Sequence, residues 1–137
     1  MKRSRLRRWI HVLRIGLLWL LAVLFVAAGT NHFISPDFYL RMIPDGWPRP
    51  SMLVYVSGVF EVIGGLGLLV PRLRTLAGWG LIALLVAVFP ANIHMAMHPE
   101  RYDAFSHVGL LARLPLQGVL MALVWWVACQ NRKLDVE

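Results

Sequence analysis

Four long apolar runs separated by short polar connections dominate this sequence and restrict what it can fold into. The runs cover about residues 9–29, 51–70, 76–98 and 110–129. Each has about 20 residues, and a helix rising about 1.5 Å per residue then crosses a hydrocarbon core about 30 Å thick. The sequence therefore predicts an all-α fold, an integral membrane four-helix transmembrane bundle that forms a single domain over residues 1–137.

The composition supports a membrane protein and excludes a nucleic-acid-binding one. Charged residues make up 15% of the chain and hydrophobic residues 58%, whereas about a quarter of a soluble protein is charged. An unusually apolar soluble bundle is the alternative. The net charge of +7 is concentrated directly before the first apolar run, and no basic face interleaved with aromatic residues could follow a phosphate backbone. Membrane lipid is the expected partner, and nucleic acid is not.

The distribution of Lys and Arg predicts the orientation in the membrane. With four spans, the N-terminus, the 71–75 connection and the tail containing Arg132 and Lys133 share one side, which carries ten basic residues against four on the other. The positive-inside rule places both termini in the cytoplasm and loop 30–50 outside. The first run also resembles a signal peptide cleaved after Ala28, but its length and the three later runs favour a span.

Polar side chains inside spans are costly and mark candidate functional residues. Glu61 is the deepest, ten residues into its run, and so roughly 15 Å below the surface. Arg14 lies near the start of the first run and is expected to extend toward the headgroups. The other polar residues lie toward the outer side: Asn31, His32, Asn92, His94, His98, Arg113 and Gln117. They predict a polar pocket that opens outward.

Helical spacing predicts which faces of the second span pack and which face lipid. The side of Glu61 carries small residues, which allow helices to approach closely: Ser57, Gly58, Gly64 and Gly65. The opposite side is bulky and apolar: Val56, Val59, Ile63 and Leu66.

A similar pattern on the third span predicts a packing stripe of small residues that becomes polar toward the outside: Gly80, Ala83, Ala87, Ala91, His94 and His98. Asn92 lies about 120° from this stripe in a regular helix, although a bend at Pro90 would bring it and His94 together. On the fourth span, Arg113 and Gln117 are four residues apart and share a face.

Structural roles are the alternatives to a functional pocket. Glu61 and Arg113 could form a buried ion pair that fixes helix register, and His32 could cap the first span. His94 and His98, with Met95 and Met97 between them, are a weak copper signal, and we predict no metal site. Cys129 is the single cysteine, so the chain has neither an internal disulfide nor a paired-thiol redox centre.

An ordered set of motifs resembles the DoxX family of small bacterial membrane proteins. The set runs Gly29-Thr-Asn-His-Phe33 with Pro36, Ile43-Pro44, Pro48-x-Pro50, Ser57-Gly58-x-x-Glu61, Gly64-Gly65-Leu66-Gly67-Leu68-Leu69, Pro71 and Phe89-Pro90-Ala91-Asn92-Ile93-His94. The resemblance covers about residues 13–129 and implies a four-helix transmembrane bundle in the bacterial cytoplasmic (inner) membrane. It also implies a link to quinone-coupled or other membrane redox chemistry. The family's polar positions fall on His32, Glu61, Asn92 and Arg113.

Three functions are compatible with these features. The first is a quinone-linked redox subunit, in which His32, Glu61, Asn92, His94, Arg113 and Gln117 form the pocket and a redox partner protein supplies the electrons. The sequence has no haem, flavin or iron–sulfur motif and no self-contained redox or hydrolytic motif, so the expected cofactor is a bound quinone and none is intrinsic. The others are a non-catalytic scaffold or assembly factor and a small-solute transporter, which the lack of an inverted repeat disfavours. The sequence does not indicate an oligomeric state.

Overall fold

The computed structural model describes residues 2–130, and every regular element in that range is helical. The five α-helices are α1 (Lys2–Ile34), α2 (Pro36–Leu40), α3 (Pro50–Leu69), α4 (Arg74–Met97) and α5 (His107–Val124). A 3₁₀ turn (Pro99–Arg101) follows α4, and a π-helical segment (Trp125–Cys129) continues α5. Arg132 and Lys133, which contribute to the predicted orientation, lie outside the described residues.

Four helices of the described chain are long and apolar enough to cross a membrane, which confirms the predicted fold class. They extend over Ser4–Ile34, Pro50–Leu69, Arg74–Met97 and His107–Cys129. The first is longer than predicted at both ends, because its basic start contains good helix formers and its C-terminal end meets no helix breaker before Pro36. The protein is thus a multi-pass membrane protein. Its loop 30–50 is shorter than expected and contains α2.

Glycines bring α1 and α3 into close contact. A Cβ atom added at Gly58 would lie 2.7 Å from Cβ of His32 and 2.9 Å from the carbonyl oxygen of Gly29. About two helical turns further along α3, a Cβ at Gly65 would lie 2.9 Å from the carbonyl oxygen of Ala22. Such distances leave no room for a side chain, so the backbones touch directly as in other small-residue membrane interfaces. The predicted packing face of α3 is therefore confirmed.

The predicted packing stripe of α4 is wrong. Gly80, Ala83 and Ala87 are exposed. The buried residues of α4 are instead Gly78, Leu81, Leu85, Met95 and Ala96. The reason is that α3 already supplies the small residue at this contact. A Cβ at Gly64 would lie 2.7 Å from Cγ of Leu81, so the leucine of α4 fills the space that the glycine of α3 leaves.

Arg14 ties the first helix to the last instead of extending toward the headgroups. Its Nε and Nη2 donate to the carbonyl oxygen of Val127 at 3.3 and 3.2 Å, and Nη2 also donates to that of Gln130 at 3.2 Å. The Thr75 hydroxyl donates to the neighbouring carbonyl of Ala128 at 3.1 Å. A π-helical turn changes the regular i to i−4 hydrogen bonding, and here its carbonyls accept from Arg14 and Thr75.

The chain order of the helices determines which ends meet. Helix α3 packs between α1 and α4, and α5 packs against α4. Because successive spans run in opposite directions, the C-terminal ends of α1 and α4 lie with the N-terminal ends of α3 and α5. We call this the loop end, since α2 and the loop before α3 lie there. The predicted polar residues of all four spans belong to this end.

Candidate functional site

A cavity of about 480 Å³ lies at the loop end, bounded by all four long helices and the segment after α2. Most of its wall is apolar. Its polar lining is confined to a few side chains: His32, Tyr39, Ser57, Glu61, Asn92, Arg113 and Gln117. A largely apolar cleft of this volume with a few convergent polar groups is typical of a small-molecule site.

Exposed apolar side chains line the rim of the cavity on the lateral surface of the bundle. Phe60 of α3 is 59% exposed and Leu116 of α5 is 64% exposed. Both lie within helices that are long enough to span a membrane. In a bilayer this rim contacts acyl chains, so the cavity is accessible to a molecule dissolved in the lipid.

Five of the six predicted pocket residues line this cavity: His32, Glu61, Asn92, Arg113 and Gln117. His94 does not, and it lines a smaller cavity nearer the helix end. Helix α4 continues through Pro90 to Met97. Two residues along a continuous helix turn a side chain by about 200°, so Asn92 and His94 point in different directions.

The position of His32 is fixed by three neighbours. Its Nδ1 lies 2.8 Å from the carbonyl oxygen of Val54 and 3.2 Å from the hydroxyl oxygen of Ser57. The Tyr39 ring stacks on the imidazole with 3.7 Å between centroids. Because a carbonyl oxygen only accepts hydrogen bonds, Nδ1 carries the proton and donates it to Val54. The lone pair of the neutral ring is then on Nε2.

Glu61 faces that lone pair. Its Oε1 lies 3.6 Å from Nε2 of His32, and its Oε2 is buried with no hydrogen-bond partner in residues 2–130. A carboxylate opposite an unprotonated Nε2 would place two acceptors together, which is unfavourable away from water. The pair is therefore stabilised by one additional proton, held either on the carboxyl or on the ring.

Arg113 does not form the ion pair with Glu61 that the sequence offered as an alternative. In the described part of the chain no carboxylate lies within ion-pair distance of Arg113. Its Nη2 lies 3.8 Å from Sδ of Met42, and its guanidinium lies 5.6 Å from the centroid of the Phe105 ring. His32 is the partner of Glu61 instead. The cavity wall therefore carries a half-buried cation without a counter-charge.

Asn92 and Gln117 satisfy one another. The Asn92 side-chain amide donates to Oε1 of Gln117 at 2.8 Å, and Nε2 of Gln117 donates to the carbonyl oxygen of Leu85. Gln117 is buried, with 5% of its surface exposed. These hydrogen bonds join α4 to α5 and make this part of the wall rigid.

The structure adds Tyr39 and Met42 to the site, and sequence reasoning missed both. They lie in loop 30–50, where the sequence predicts a short interfacial helix over Phe38–Ile43 with Tyr39 at headgroup depth, and the structure has Tyr39 in α2. The Tyr39 hydroxyl accepts from Asn31 at 3.1 Å and donates to the carbonyl of Ala28 at 3.4 Å. The sequence contains one indication of Tyr39, the polar side chain of Asn31 at the end of a span. A polar side chain at that depth requires a hydrogen-bond partner.

The histidine and methionine residues at the end of α4 do not form a common metal site. The rings of His94 and His98 are 4.6 Å apart, but Met95 is buried in a separate core cluster and Met97 is 70% exposed. Among the described residues no group of three or more His, Cys, Asp or Glu side chains could hold a metal ion.

Comparison with known proteins places the chain in a family. Residues 21–128 match a family described as a domain of unknown function, DUF8561. The match covers most of the chain, from the middle of α1 to the end of the fourth membrane-spanning helix, and the protein belongs to this family. No curated protein and no solved structure matches the chain.

Proposed function

We propose that this DUF8561 member is a quinone-linked subunit of a membrane redox system, similar to the DoxX family, in the bacterial cytoplasmic membrane. The cavity at the loop end binds the quinone head group in the outer leaflet. A redox partner protein supplies the electrons, since the sequence carries no motif for a haem, flavin or iron–sulfur centre. Two features of the cavity support a ligand of this kind, and one carries the proposal.

The first supporting feature is the shape and position of the cavity. A volume of about 480 Å³ is enough for a substituted ring, and pockets for small ligands are typically about 300–1,000 Å³. The rim at Phe60 and Leu116 is exposed toward the lipid, so an apolar tail can remain in the bilayer while the ring enters. Quinones partition into membranes and reach a site of this type without crossing water.

The main observation behind the proposal is that Oε2 of Glu61 is buried and has no hydrogen-bond partner in residues 2–130. A buried polar atom without a partner is uncommon and costs roughly 1–3 kcal/mol, so a polar ligand atom at this position would be stabilised. The residues fit a ligand that bears carbonyl oxygens, because a protonated Glu61 donates to a carbonyl and an ionised one accepts from a hydroxyl. The other oxygen, Oε1, stays with His32.

The His32–Glu61 pair can hold and release one proton at the cavity wall. A quinone, when bound, accepts two electrons and two protons to become a quinol. The chain's contribution is to deliver one proton from the pair, which must take up another proton from the water at the loop end before it delivers the second, with Val54 and Tyr39 holding the imidazole in place. General acid groups of this kind act when they are within hydrogen-bond distance of the atom that is protonated.

The second supporting feature is Arg113 on the α5 wall. Its guanidinium has no carboxylate partner in residues 2–130, so its N–H groups are available to an electronegative oxygen. A cation there favours a head group with growing negative charge over the neutral form. Its hydrogen bond to the Met42 sulfur and its cation–π contact with the Phe105 ring involve uncharged partners, so they hold the side chain without neutralising it.

Thermal stability with soluble analogues tests this function. Ubiquinone and menaquinone analogues with short tails should raise the melting temperature of the purified protein. The rise should disappear in Glu61→Gln and His32→Ala. Glu100→Gln is the matched control, because it makes the same chemical change at an exposed carboxylate outside the cavity. A folded protein whose melting temperature does not shift with any analogue would overturn the proposal.

The Asn92–Gln117–Leu85 network favours a second candidate, a scaffold or assembly factor. These groups satisfy one another and specify how α4 and α5 pack, which a protein without a ligand would also require. Purification with one stoichiometric partner and no bound small molecule would support this role over the first.

A further inference from the structure

A second, smaller cavity of about 190 Å³ lies at the loop end, nearer the ends of the helices than the first. It is formed by the segment after α2, the last turn of α4 and the turn that follows α4. Its lining is Arg41, Ile43, Asp45, His94, Arg101 and Tyr102. Ile43 lines both cavities, but the polar groups of the two are separate. This cavity has no part in the proposed quinone site.

The charged groups of this cavity leave one cation without a counter-charge. Nη1 of Arg101 lies 2.7 Å from Oδ2 of Asp45, which pairs these two residues. The guanidinium of Arg41 has no hydrogen-bond or ion-pair partner in the described chain. The carboxylate of Asp45 is thus neutralised, and the lining has a net positive charge that originates from Arg41.

His94 and Tyr102 add a hydrogen-bond donor to the same wall. Nδ1 of His94 lies 3.3 Å from the hydroxyl oxygen of Tyr102. Burial raises the pKa of Tyr102, so the phenol keeps its proton at neutral pH. If the phenol donates to Nδ1, the proton of His94 is on Nε2, and if Nδ1 donates, the phenol proton is free. Either arrangement leaves one N–H or O–H group for a ligand in the cavity.

The cavity lies at the depth of the lipid headgroups. His94 is in the last turn of α4, which ends at Met97, and Tyr102 lies in the connection to α5. The end of a membrane-spanning helix marks the boundary between the hydrocarbon core and the headgroup layer. Met97, the last residue of α4, is 70% exposed and apolar, as expected for a residue in contact with acyl chains.

From these features we infer that the second cavity binds a phosphate group, as carried by a phospholipid headgroup at the membrane surface. Arg41 and Arg101 contact the phosphate oxygens, and the donor of the His94–Tyr102 pair supplies a further hydrogen bond. Guanidinium groups suit phosphate because their N–H groups match its oxygens in geometry and charge. Basic pockets at the ends of membrane helices recognise lipid headgroups in this way.

Arg41 decides whether an anion binds. The C-terminal end of α4 has a partial negative charge, and Asp45 cancels Arg101 at close range. Without Arg41 the lining is close to neutral, or negative on the α4 side, and a phosphate loses its attraction. The site also joins the loop before α3 to the turn after α4, so an occupied cavity should stabilise the loop end.

Binding measurements with three probes distinguish the sources of the phosphate. The probes are inorganic phosphate, dihexanoyl phosphatidylglycerol and the uncharged dihexanoylglycerol, each added to the purified full-length protein in a neutral detergent. We expect the phospholipid to bind and raise the melting temperature, and dihexanoylglycerol to do neither. Binding of inorganic phosphate alone would contradict a lipid headgroup as the source and retain a phosphate site. Equal binding of both lipids would overturn the phosphate site.

Substitutions of two arginines in the loop before α3 test whether the phospholipid binds in this cavity. Arg41→Gln should weaken phospholipid binding by about tenfold or more, the loss expected for a hydrogen bond to a charged group. Arg41→Lys keeps the charge and should retain most of the affinity, which also tests the site if Arg41→Gln does not fold. Arg49→Gln is the matched control, since it removes a charge from the same loop outside the cavity. Equal affinity for Arg41→Gln and Arg49→Gln would overturn the proposal.

Discussion

Nε2 of His32 on α1 lies 3.6 Å from Oε1 of Glu61 on α3, and the other nitrogen of the ring donates to the carbonyl of Val54. The hydrogen bond to Val54 fixes which nitrogen is protonated and so which one faces the carboxyl. Gly58 makes this arrangement sterically feasible, since it has no Cβ to meet the His32 side chain. The proton-holding pair is therefore a direct product of close packing between two helices.

The first prediction is that His32 and Glu61 are energetically coupled and that Glu61 and Arg113 are not. Residues in contact show coupling energies of about 0.5–3 kcal/mol, whereas independent sites add to within about 0.5 kcal/mol. Double-mutant cycles with His32→Ala, Glu61→Gln and Arg113→Gln, measured by unfolding in detergent, check both statements. Additive losses for His32 and Glu61, or clear coupling of Glu61 with Arg113, would contradict the geometry.

The second prediction concerns the contact between α1 and α3. Gly58→Ala should destabilise the protein by about 1–3 kcal/mol, the usual cost of overpacking, because the new methyl group would lie 2.7 Å from Cβ of His32. Gly80→Ala is the control, since a Cβ there meets nothing within 4 Å. Alanine also favours a helix over glycine by up to about 1 kcal/mol, so the control should be neutral or more stable. The two melting temperatures measure the difference.

The third prediction is that Arg14 stabilises the end of the bundle opposite the cavity. Arg14→Ala leaves the carbonyls of Val127 and Gln130 without their donor, and hydrogen bonds to a charged group contribute about 1.5–3 kcal/mol each. Arg8→Ala, at an exposed position before the first apolar run, should change stability by less than about 0.5 kcal/mol. Unfolding of both variants in the same detergent tests this. Similar stabilities would show that the hydrogen bonds of Arg14 contribute little.

The sequence predicted the fold well because apolar run length and helical periodicity are local properties. The buried face of α3, with Gly58 and Gly65, follows from spacing alone. The predicted packing role of Gly80 was wrong because packing depends on the neighbouring helix. Gly64 of α3 leaves space for Leu81 of α4, so a small residue on α4 is unnecessary there. No pattern within a single helix contains that information.

The candidate site was predicted in part for the same reason. Polar side chains in a membrane must face the interior of the bundle, and this rule placed five of the six predicted pocket residues correctly in the cavity. Their pairing was not predictable, because the partner of Glu61 depends on how α1 and α3 approach one another and not on spacing in either. His94 was placed with the others because it continues the predicted stripe of α4, and a bend at Pro90 was expected to add Asn92. Helix α4 continues through Pro90, and Asn92 lines the cavity while His94 does not.

The fourth prediction is the orientation of the chain. From the excess of basic residues beside the termini and the 71–75 connection, reporter fusions at the C-terminus and in that connection should be cytoplasmic. Fusions near Asp45 and Asp103 should be external. This would place both cavities at the outer surface. A cytoplasmic fusion at Asp45 would reverse the orientation and move the proposed quinone site to the inner leaflet.

Native mass spectrometry of the protein extracted with its lipids tests the quinone site most directly. The spectrum should contain an adduct with the mass of the host membrane's quinone. That adduct should be strongly reduced in Glu61→Gln, which alters the unpaired oxygen of the cavity, and retained in Glu100→Gln. A folded wild-type protein that carries no quinone, or an adduct of equal intensity in Glu61→Gln, would contradict a quinone site at Glu61.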